Sequence, residues 1–293
     1  MTGLPGLPGS PPADRCLVMG VVNVTPDSFS DGGRWYGAEV AIQHGMDLVA
    51  AGADIVDVGG ESTRPGAQRV AADEELRRVQ PVITELVKAG VVVSVDTMRA
   101  QVAEFALEAG VSLVNDVSGG LADPYMPRLV AKAGVPYVVV HWRAHSHDMY
   151  SRASYADVVR EVHDELAQRV SAVIAEGMDP SMIVLDPGLG FSKNPAPLGP
   201  EAHNWQLLAG LPELAVIDGR DFPVLVGASR KRYLSRLFEE AGGTQRPYTE
   251  NDAATVAITA LSAADGAWCV RVHQVPANAD AVRVAAAYRA ARS

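Results

Sequence analysis

The sequence predicts an α/β protein, a single eight-stranded βα-barrel, and three observations lead to this fold. Eight short runs rich in Val, Ile and Leu show little alternation, which is typical of strands buried on both faces of a parallel sheet. Amphipathic segments separate these runs, and each run ends at a polar residue or a short polar segment. A chain of 293 residues is long for one domain, but barrels of this kind commonly reach this length.

The predicted strands recur along the whole chain. They are Leu17–Val22, Ile55–Val58, Val91–Val95, Ser112–Val114, Tyr137–Val140, Ile183–Leu185, Val224–Val226 and Ala267–Val272. Segments with a helical pattern lie between them, among them Ala38–Ala51, Asp73–Ala89, Gln101–Ala109, Tyr155–Glu176 and Asp252–Ala264. Several of these helices run into a glycine, a common way for a helix to end. The pairs are Ala51-Gly52, Ala89-Gly90, Ala109-Gly110 and Glu176-Gly177.

A doubly wound open sheet is the alternative fold. Such a sheet usually carries a glycine-rich phosphate turn after its first strand. Here the first strand runs into Asn23-Val24-Thr25-Pro26, without a GxGxxG pattern. The closed barrel is therefore favoured.

One barrel domain is predicted over residues 16–293, preceded by a tail of residues 1–15. The tail is rich in Gly and Pro, so we expect it to be disordered. It lacks the basic and apolar regions of a signal peptide, and no apolar run approaches the length of a membrane span. We therefore expect a soluble, cytoplasmic protein. The Pro-rich segment 194–201 is predicted to be an inserted surface loop.

The formal net charge of −10 argues against binding to nucleic acid or to an anionic membrane, because both need a basic face. An anionic ligand would need a local cluster of basic residues. The two cysteines, Cys16 and Cys269, lie in apolar runs and are expected to be small buried residues. No Cys or His spacing indicates a zinc site.

Polar residues at the ends of the predicted strands form the candidate site, since the carboxyl ends of barrel strands converge on one mouth. Any one of them could be a helix cap instead. Capping does not explain Lys and Arg at the same rim, so the set as a whole indicates an active site. Its members are Asn23, Asp57, Asp96, Asn115, Asp186, Lys231, Arg271 and His273.

The positive residues favour an anionic ligand. Ser229-Arg230-Lys231-Arg232 is predicted to open the helix after the seventh strand, where cations oppose the helix dipole. A bound anion, or a carboxylate on a neighbouring loop, would resolve this conflict. Arg271 and His273 flank Val272 and are expected to point the same way from the last strand. Loops after the seventh and eighth strands often bind phosphate in such barrels.

Asp96, Asn115 and Asp186 suit a different ligand group. Two carboxylates and an amide can line the edge of a flat heterocycle with adjacent N–H donors, such as an aminopyrimidinone. A glycosidase pair of carboxylates is the competing interpretation, but the nearby cations and sparse aromatics disfavour it. The long loops Thr25–Gly33 and Gly59–Ala67 fit lids over a charged substrate, or else ordinary solvent loops.

Seven motifs together resemble the dihydropteroate synthases of the folate pathway. In chain order they are MGVVNVTPDSFSDGG, DIVDVGGESTRPGA, SVDTMR, VNDVSGG, LDPGLGF, VLVGASRKR and RVHQV, and they extend from about Leu17 to the end. The resemblance implies a (β/α)8 fold. It also implies condensation of a dihydropterin methyl diphosphate with 4-aminobenzoate to give dihydropteroate and diphosphate, and inhibition by sulfonamides. The tail before Cys16, the NPAPLGPE segment and the stretch 145–148 depart from the motifs.

The resemblance also implies roles for individual residues. Asp96, Lys231 and Asp31 on the first loop would be catalytic. The pterin would be held by Asp96, Asn115, Asp186, Gly227 and Lys231. The diphosphate would be bound by Asn23, Thr63, Arg64, Arg271 and His273, with Asn23 as a ligand of Mg²⁺. The aminobenzoate would lie among Thr63, Arg64, Pro65, Phe191, Ser229 and Lys231.

The implied reaction is SN1-like, because the aryl amine is a weak nucleophile and the leaving group must depart easily. Mg²⁺, Arg and His would stabilise the departing diphosphate, and Asp96 the pterin cation that remains. A pterin-binding methyltransferase would share the pterin residues but would not need Arg64, Arg271 and His273. A non-catalytic paralogue would be expected to lose some of these residues. The resemblance further implies a homodimer through barrel helices.

Overall fold

Eight parallel strands form the main sheet of the protein. The computed structural model describes residues 7, 14–25, 34–62, 69–145, 151–196, 198–240 and 247–292. The parallel strands are β1 (Leu17–Asn23), β2 (Ile55–Gly59), β3 (Val93–Asp96), β4 (Leu113–Asp116), β5 (Tyr137–Val140), β6 (Ile183–Asp186), β9 (Leu225–Val226) and β10 (Cys269–Val272). Two further short strands, β7 (Val216–Ile217) and β8 (Arg220–Asp221), form an antiparallel hairpin.

The parallel strands form a nearly closed barrel. Their order is β6-β5-β4-β3-β2-β1-β10-β9. A parallel bridge between Leu185 and Val224 brings β6 beside the start of β9, and the Leu185 N–H donates to the Pro223 carbonyl at 2.8 Å. The barrel predicted from the sequence is confirmed. The β7–β8 hairpin was not predicted, since two-residue strands leave no period to detect.

Helices surround the barrel. They are α1 (Arg34–Ala50), α2 (Ala72–Lys88), α3 (Ala100–Ala109), α4 (Met126–Ala133), α5 (Val158–Ala175), α6 (His203–Ala209), α7 (Leu211–Leu214), α8 (Arg232–Glu240), α9 (Asp252–Ala264) and α10 (Val275–Ala290). Helix α9 has the predicted bounds, and the four predicted glycine stops all have positive φ. Helix α5 begins three residues later than predicted, because the Asp157 carboxylate caps it by accepting from the Arg160 N–H.

Side chains alternate between two apolar layers along each strand. Leu17 and Met19 of β1 pack in one cluster with Ile55, while Val18 and Val22 belong to the cluster shared with the helices. The first cluster fills the barrel and the second joins the barrel to its helical ring. Cys269 lies in the barrel cluster and Cys16 in the helix cluster, and both are buried free thiols, as predicted.

The predicted tail and insertion are only partly described. Leu7 is buried in the cluster that fills the barrel, and Arg15 pairs with Asp54 at 2.7 Å. Most of the tail lies outside the described residues, so its disorder stays a prediction. Residues 198–201 of the insertion are exposed, which confirms a surface segment there. In the part of the chain that the structure covers, no helix is both long and apolar enough to cross a membrane.

Candidate active site

Strand register gathers the predicted polar residues at one end of the barrel. Asn23 is opposite Gly59, Gly59 is opposite Asp96, and Asp96 is opposite Asn115. These positions share the face of the barrel-filling residues, because register partners in a parallel sheet point to the same side. The carboxyl ends of the strands therefore present these side chains to a common mouth.

A pocket opens at this mouth. Its polar lining residues, and also Gly227 and Phe191, were predicted as site residues, whereas its walls of Val117, Val140 and Leu189 carry no distinguishing sequence signal. It is lined by Asp96, Asn115, Val117, Val140, Asp186, Leu189, Phe191, Gly227, Lys231 and Arg271. The structure thus brings the predicted pterin residues together.

Arg271 joins two carboxylates at the floor of the site. Its Nε donates to Asp57 and its Nη2 to Asp96, each at 2.6 Å. Burial by itself lowers the pKa of Arg271, but the Asp57 and Asp96 carboxylates outweigh burial and raise it. Asp57, whose role the sequence left open, is fully buried and holds Arg271 and Asn115 in place.

Asp96 has an unusual ionisation equilibrium. Burial raises its pKa to about 7, with Asp57 and Glu75 acting in the same direction, whereas Arg271 and Lys231 lower it. A carboxyl group whose folded-state pKa lies above its ordinary value stabilises the fold most at low pH. That contribution is lost as the pH rises through about 7.

We therefore expect the stability of the wild type relative to Asp96→Asn to decrease between pH 5 and pH 8. The asparagine cannot titrate, so the comparison isolates Asp96 from the other ionisable groups. Urea unfolding of both proteins at several pH values measures the difference. A stability difference that stays constant across this range would contradict the raised pKa.

Asn115 keeps one hydrogen-bonding atom for a ligand. Its Nδ2 donates to Asp57 Oδ2 at 3.1 Å. Its Oδ1 is buried and has no hydrogen-bond partner among the residues that the structure describes. A buried acceptor of this kind is costly unless a ligand or water satisfies it.

Asp186 is oriented by the turn that follows it. Its Oδ1 accepts from the Gly188 N–H at 2.7 Å. Burial raises its pKa, and the Gly188 hydrogen bond, Lys231, Lys193 and Arg271 oppose that shift. Gly227 lies on the other side, where a Cβ would be in ordinary van der Waals contact with Asp186 Oδ2 at 3.7 Å.

Lys231 and Phe191 form the next part of the pocket. The Lys231 ammonium lies 3.8 Å from the centre of the Phe191 ring. Burial and Arg271 lower the pKa of Lys231 to about 8, against the carboxylates of Asp186 and Asp96. A Cβ at Gly190 would approach the Lys231 side chain to 3.0 Å, so the glycine leaves room for Lys231 to enter the pocket.

The segment before α8 differs from the prediction in one respect. Helix α8 begins at Arg232, so Arg230 and Lys231 precede it and only Arg232 lies in its first turn. Arg230 has φ +58° and pairs with Asp252 at 3.5 Å, while Lys231 turns toward the pocket carboxylates. Neighbouring carboxylates thus account for two of the cations, one of the explanations that the sequence left open.

Ser229 and His273 contact each other across the last two strands of the barrel. Ser229 Oγ lies 2.9 Å from His273 Nδ1 and accepts from the His273 N–H at 3.3 Å. His273 is therefore oriented from β9, whereas Arg271 is held from β2 and β3. The two predicted diphosphate residues therefore both come from the end of β10 and are held by different neighbours.

The loop residues assigned by the resemblance lie outside the described residues. They are Asp31, Thr63, Arg64 and Pro65. Both ends of the second loop are nevertheless fixed. Glu61 accepts from the Val70 N–H at 3.1 Å and from Arg99 at 2.8 Å, and Arg78 donates to the Gly60 carbonyl at 2.9 Å.

A second polar network, which the sequence did not reveal, lies behind the pocket. Lys193 is completely buried and contacts His141, which in turn contacts Glu165. No local pattern indicates this network, because His141 simply follows an apolar strand and Lys193 precedes the Pro-rich segment 194–201. His141 follows Tyr137 and Val139 on the outer face of β5, away from the barrel interior.

The chain is similar to proteins of one family over most of its length. A family model described as "Pterin binding enzyme" matches residues 19–273. The dihydropteroate synthase of Mycobacterium leprae is 52% identical over 272 residues, covering 92% of this chain and 93% of that protein.

Solved structures give the same relationship. A Yersinia pestis dihydropteroate synthase with a sulfonamide drug complex superposes with a TM-score of 0.87 at 36% identity, covering 99% and 100% of the two chains. The Xanthomonas albilineans dihydropteroate synthase in complex with 7,8-dihydropteroate has a TM-score of 0.83 at 39% identity and covers 100% and 99%.

Proposed function

Since this chain belongs to the pterin-binding enzymes, among the dihydropteroate synthases, we propose that its barrel mouth condenses a (7,8-dihydropterin-6-yl)methyl diphosphate with 4-aminobenzoate. The products are 7,8-dihydropteroate and diphosphate. The enzyme is thus a transferase that moves the pterinylmethyl group to the amine of 4-aminobenzoate. The observation that carries the proposal is the convergence of Asp186, Asn115 and Lys231 on one pocket beside Arg271.

The pterin is proposed to bind with its N–H edge toward Asp186. A carboxylate can accept two N–H bonds, and Asp186 has only one oxygen engaged by Gly188. The partnerless Oδ1 of Asn115 offers a further acceptor, and the Lys231 ammonium offers donors to a ring oxygen or nitrogen. Both kinds of group match an aminopyrimidinone, which has donors and acceptors along one edge.

Diphosphate departure is proposed to depend on Arg271, His273, Asn23 and the loop residues Thr63 and Arg64. The bond from the pterin methylene carbon to the diphosphate oxygen breaks, and its electron pair leaves with the diphosphate. The Asp96 carboxylate stabilises the resulting cation electrostatically. The aminobenzoate nitrogen then forms the new bond to carbon and loses a proton. Asp31 is proposed to act from the first loop.

Mg²⁺ is proposed to assist this reaction, with Asn23 as its protein ligand. Asn23 ends β1 on the face that points into the mouth, and its amide oxygen is a suitable ligand. Across the described ranges there is no cluster of three or more His, Cys, Asp or Glu able to hold a metal. Mg²⁺ is commonly bound by one or two protein oxygens together with substrate phosphates, so a single amide ligand at Asn23 would fit it. When bound, Mg²⁺ neutralises charge on the leaving group.

The aminobenzoate is proposed to lie against Phe191 and Lys231, near Ser229 and beneath the loop that carries Thr63, Arg64 and Pro65. An aromatic ring and a cation suit the aryl carboxylate of this substrate. Sulfonamides resemble aminobenzoate and are expected to compete with it. The sulfonamide complex of the Yersinia pestis relative supports that expectation.

The activity is tested by incubating purified protein with the pterin diphosphate, 4-aminobenzoate and Mg²⁺. We expect formation of dihydropteroate with one diphosphate released per product, and a loss of activity with chelator that added Mg²⁺ restores. A parallel reaction with methyltetrahydrofolate tests for methyl transfer. Methyl transfer without dihydropteroate formation, or no product at all, would contradict the proposal.

We also propose a homodimer in the cytoplasm. Large apolar side chains are exposed on the two packed helices α9 and α10, namely Leu261 (64%), Val284 (66%) and Tyr288 (55%). Such a face would favour association of two copies through barrel helices.

A further inference from the structure

Lys193 is a buried cation that the proposed reaction does not use. Its side chain is completely buried. The ammonium lies 2.8 Å from His141 Nδ1 and donates to the Gly188 carbonyl at 3.1 Å. A buried charge is retained only where its partners offset the cost of desolvation.

The partners of Lys193 form a chain that leads to the protein surface. An ammonium has no acceptor, so His141 accepts at Nδ1 and donates from Nε2 to Glu165, 2.9 Å away. Glu165 also accepts from Arg143 Nε at 3.0 Å. Burial and Lys193 lower the pKa of His141 to about 4, which agrees with a neutral imidazole between two charged groups.

Gly188 connects the Lys193 ammonium to Asp186, the carboxylate that is proposed to bind the pterin. Gly188 donates its N–H to Asp186 at 2.7 Å and gives its carbonyl to Lys193. Its φ is +66°, and a Cβ there would lie 2.3 Å from the His141 carbonyl oxygen, so only glycine fits at this point of the turn. Phe191 follows in this turn and packs on Lys231.

We propose that Lys193 is a positioning residue of the reaction: its ammonium, held by His141 and Glu165, fixes the Gly188 turn and keeps Asp186 ionised for the pterin. This inference rests on the proposed function. It assigns Lys193 no contact with substrate. Its charge acts through Asp186, and its hydrogen bond acts through the turn.

The charge of Lys193 should change near neutral pH. Burial lowers its pKa to about 7, Asp186 and Glu165 oppose that shift, and Arg143 and Lys231 add to it. Further ionisable groups around Lys193 and Asp186 are His141, Tyr155, His203, Tyr233 and Arg271. Lys193 is therefore charged at pH 6 and largely neutral at pH 8.5.

The test measures binding of the diphosphate-free 6-hydroxymethyl-7,8-dihydropterin to the full chain by calorimetry between pH 6 and pH 8.5. For Lys193→Met we expect affinity about tenfold or more below wild type at pH 6, as for loss of a charge-assisted hydrogen bond. The deficit should shrink toward pH 8.5, where the wild-type lysine is also neutral.

Glu165→Gln leaves the buried Lys193 in place. Its affinity deficit should grow as the pH rises, the opposite of the pH dependence expected for Lys193→Met. The glutamine keeps a hydrogen-bonding group for His141 but removes a charge that favours the ammonium. Its affinity should match wild type at pH 6 and fall below it at pH 7.5. Tyr155→Phe is the matched control, because it removes a hydrogen bond to the Ser192 carbonyl of the same loop (2.9 Å) without changing charge.

The outcomes separate the two proposals. Failure of the wild type to bind the pterin would contradict the proposed function. Wild-type binding with pH-independent deficits in Lys193→Met and Glu165→Gln, or with no deficit in either, would overturn the positioning role. The same pH pattern in Tyr155→Phe would also overturn it, since that pattern could then not come from charge.

Discussion

Substitution of Asp186 by asparagine is expected to weaken pterin binding about a hundredfold, the upper range for hydrogen bonds to a charged group. Asp186 must accept from the Gly188 N–H and from the pterin at the same time. An asparagine has one acceptor oxygen, so either the turn or the ligand would face an N–H donor. Calorimetry with the diphosphate-free pterin at pH 7 measures the loss.

Asp116→Asn is the matched control for this prediction. Asp116 is also a buried strand-end aspartate, but it accepts from the N–H and hydroxyl of Ser118, the N–H of Gly120 and the hydroxyl of Tyr137. Its substitution should lower the stability of the fold and leave pterin affinity within about twofold, because the hydrogen bonds of its side chain go to Ser118, Gly120 and Tyr137, none of which lines the pocket. Equal losses of affinity in the two variants would refute the role of Asp186.

Replacement of Arg271 by methionine should destabilise the protein by about 3–5 kcal/mol at pH 8, as expected when one partner of a buried ion pair is removed. Asp57 and Asp96 would remain buried without their common cation. The destabilisation should decrease toward pH 5, because burial raises the pKa of Asp96 to about 7 and the protonated Asp96 does not need the guanidinium. Urea unfolding at pH 5 and pH 8 gives both values.

The double variant Asp57→Asn with Arg271→Met separates stability from ligand binding. Removing one of the two orphaned carboxylates should restore part of the lost stability. It should not restore the preference for the diphosphate-bearing pterin over the diphosphate-free pterin, if Arg271 binds the diphosphate. A wild-type preference in the double variant would show that Arg271 serves only to neutralise Asp57 and Asp96.

Much of the pocket could be predicted because its polar residues directly follow apolar strands in the sequence. A carboxylate or amide at the end of an apolar strand is unusual, and parallel strands in a barrel direct such ends to one mouth. Asp96, Asn115, Asp186 and Arg271 were found in this way and line one pocket. The residues Asp31, Thr63, Arg64 and Pro65 stay predictions from the resemblance.

The prediction of Asn115 rather than the adjacent Asp116 could not be justified by the strand pattern alone. Asn115 and Asp116 both follow the apolar pair Leu113 and Val114, so no alternation shows which one faces the barrel. The register answers this, since Asn115 is opposite Asp96, whereas Asp116 bonds to Tyr137 on the outer face. Asp116 thus stabilises the loop that follows β4, where it accepts hydrogen bonds from Ser118 and Gly120.

Local sequence patterns were enough to predict the barrel, the polar ends of its strands and the excess of positive charge after the last two strands. Each follows from local patterns of a few residues. The side-chain pairs depend on the folded chain, because Arg271 is 214 positions from Asp57 and Lys193 is 52 positions from His141. Such pairs form when the barrel closes and its loops fold back, and burial then shifts the ionisation of the groups it encloses.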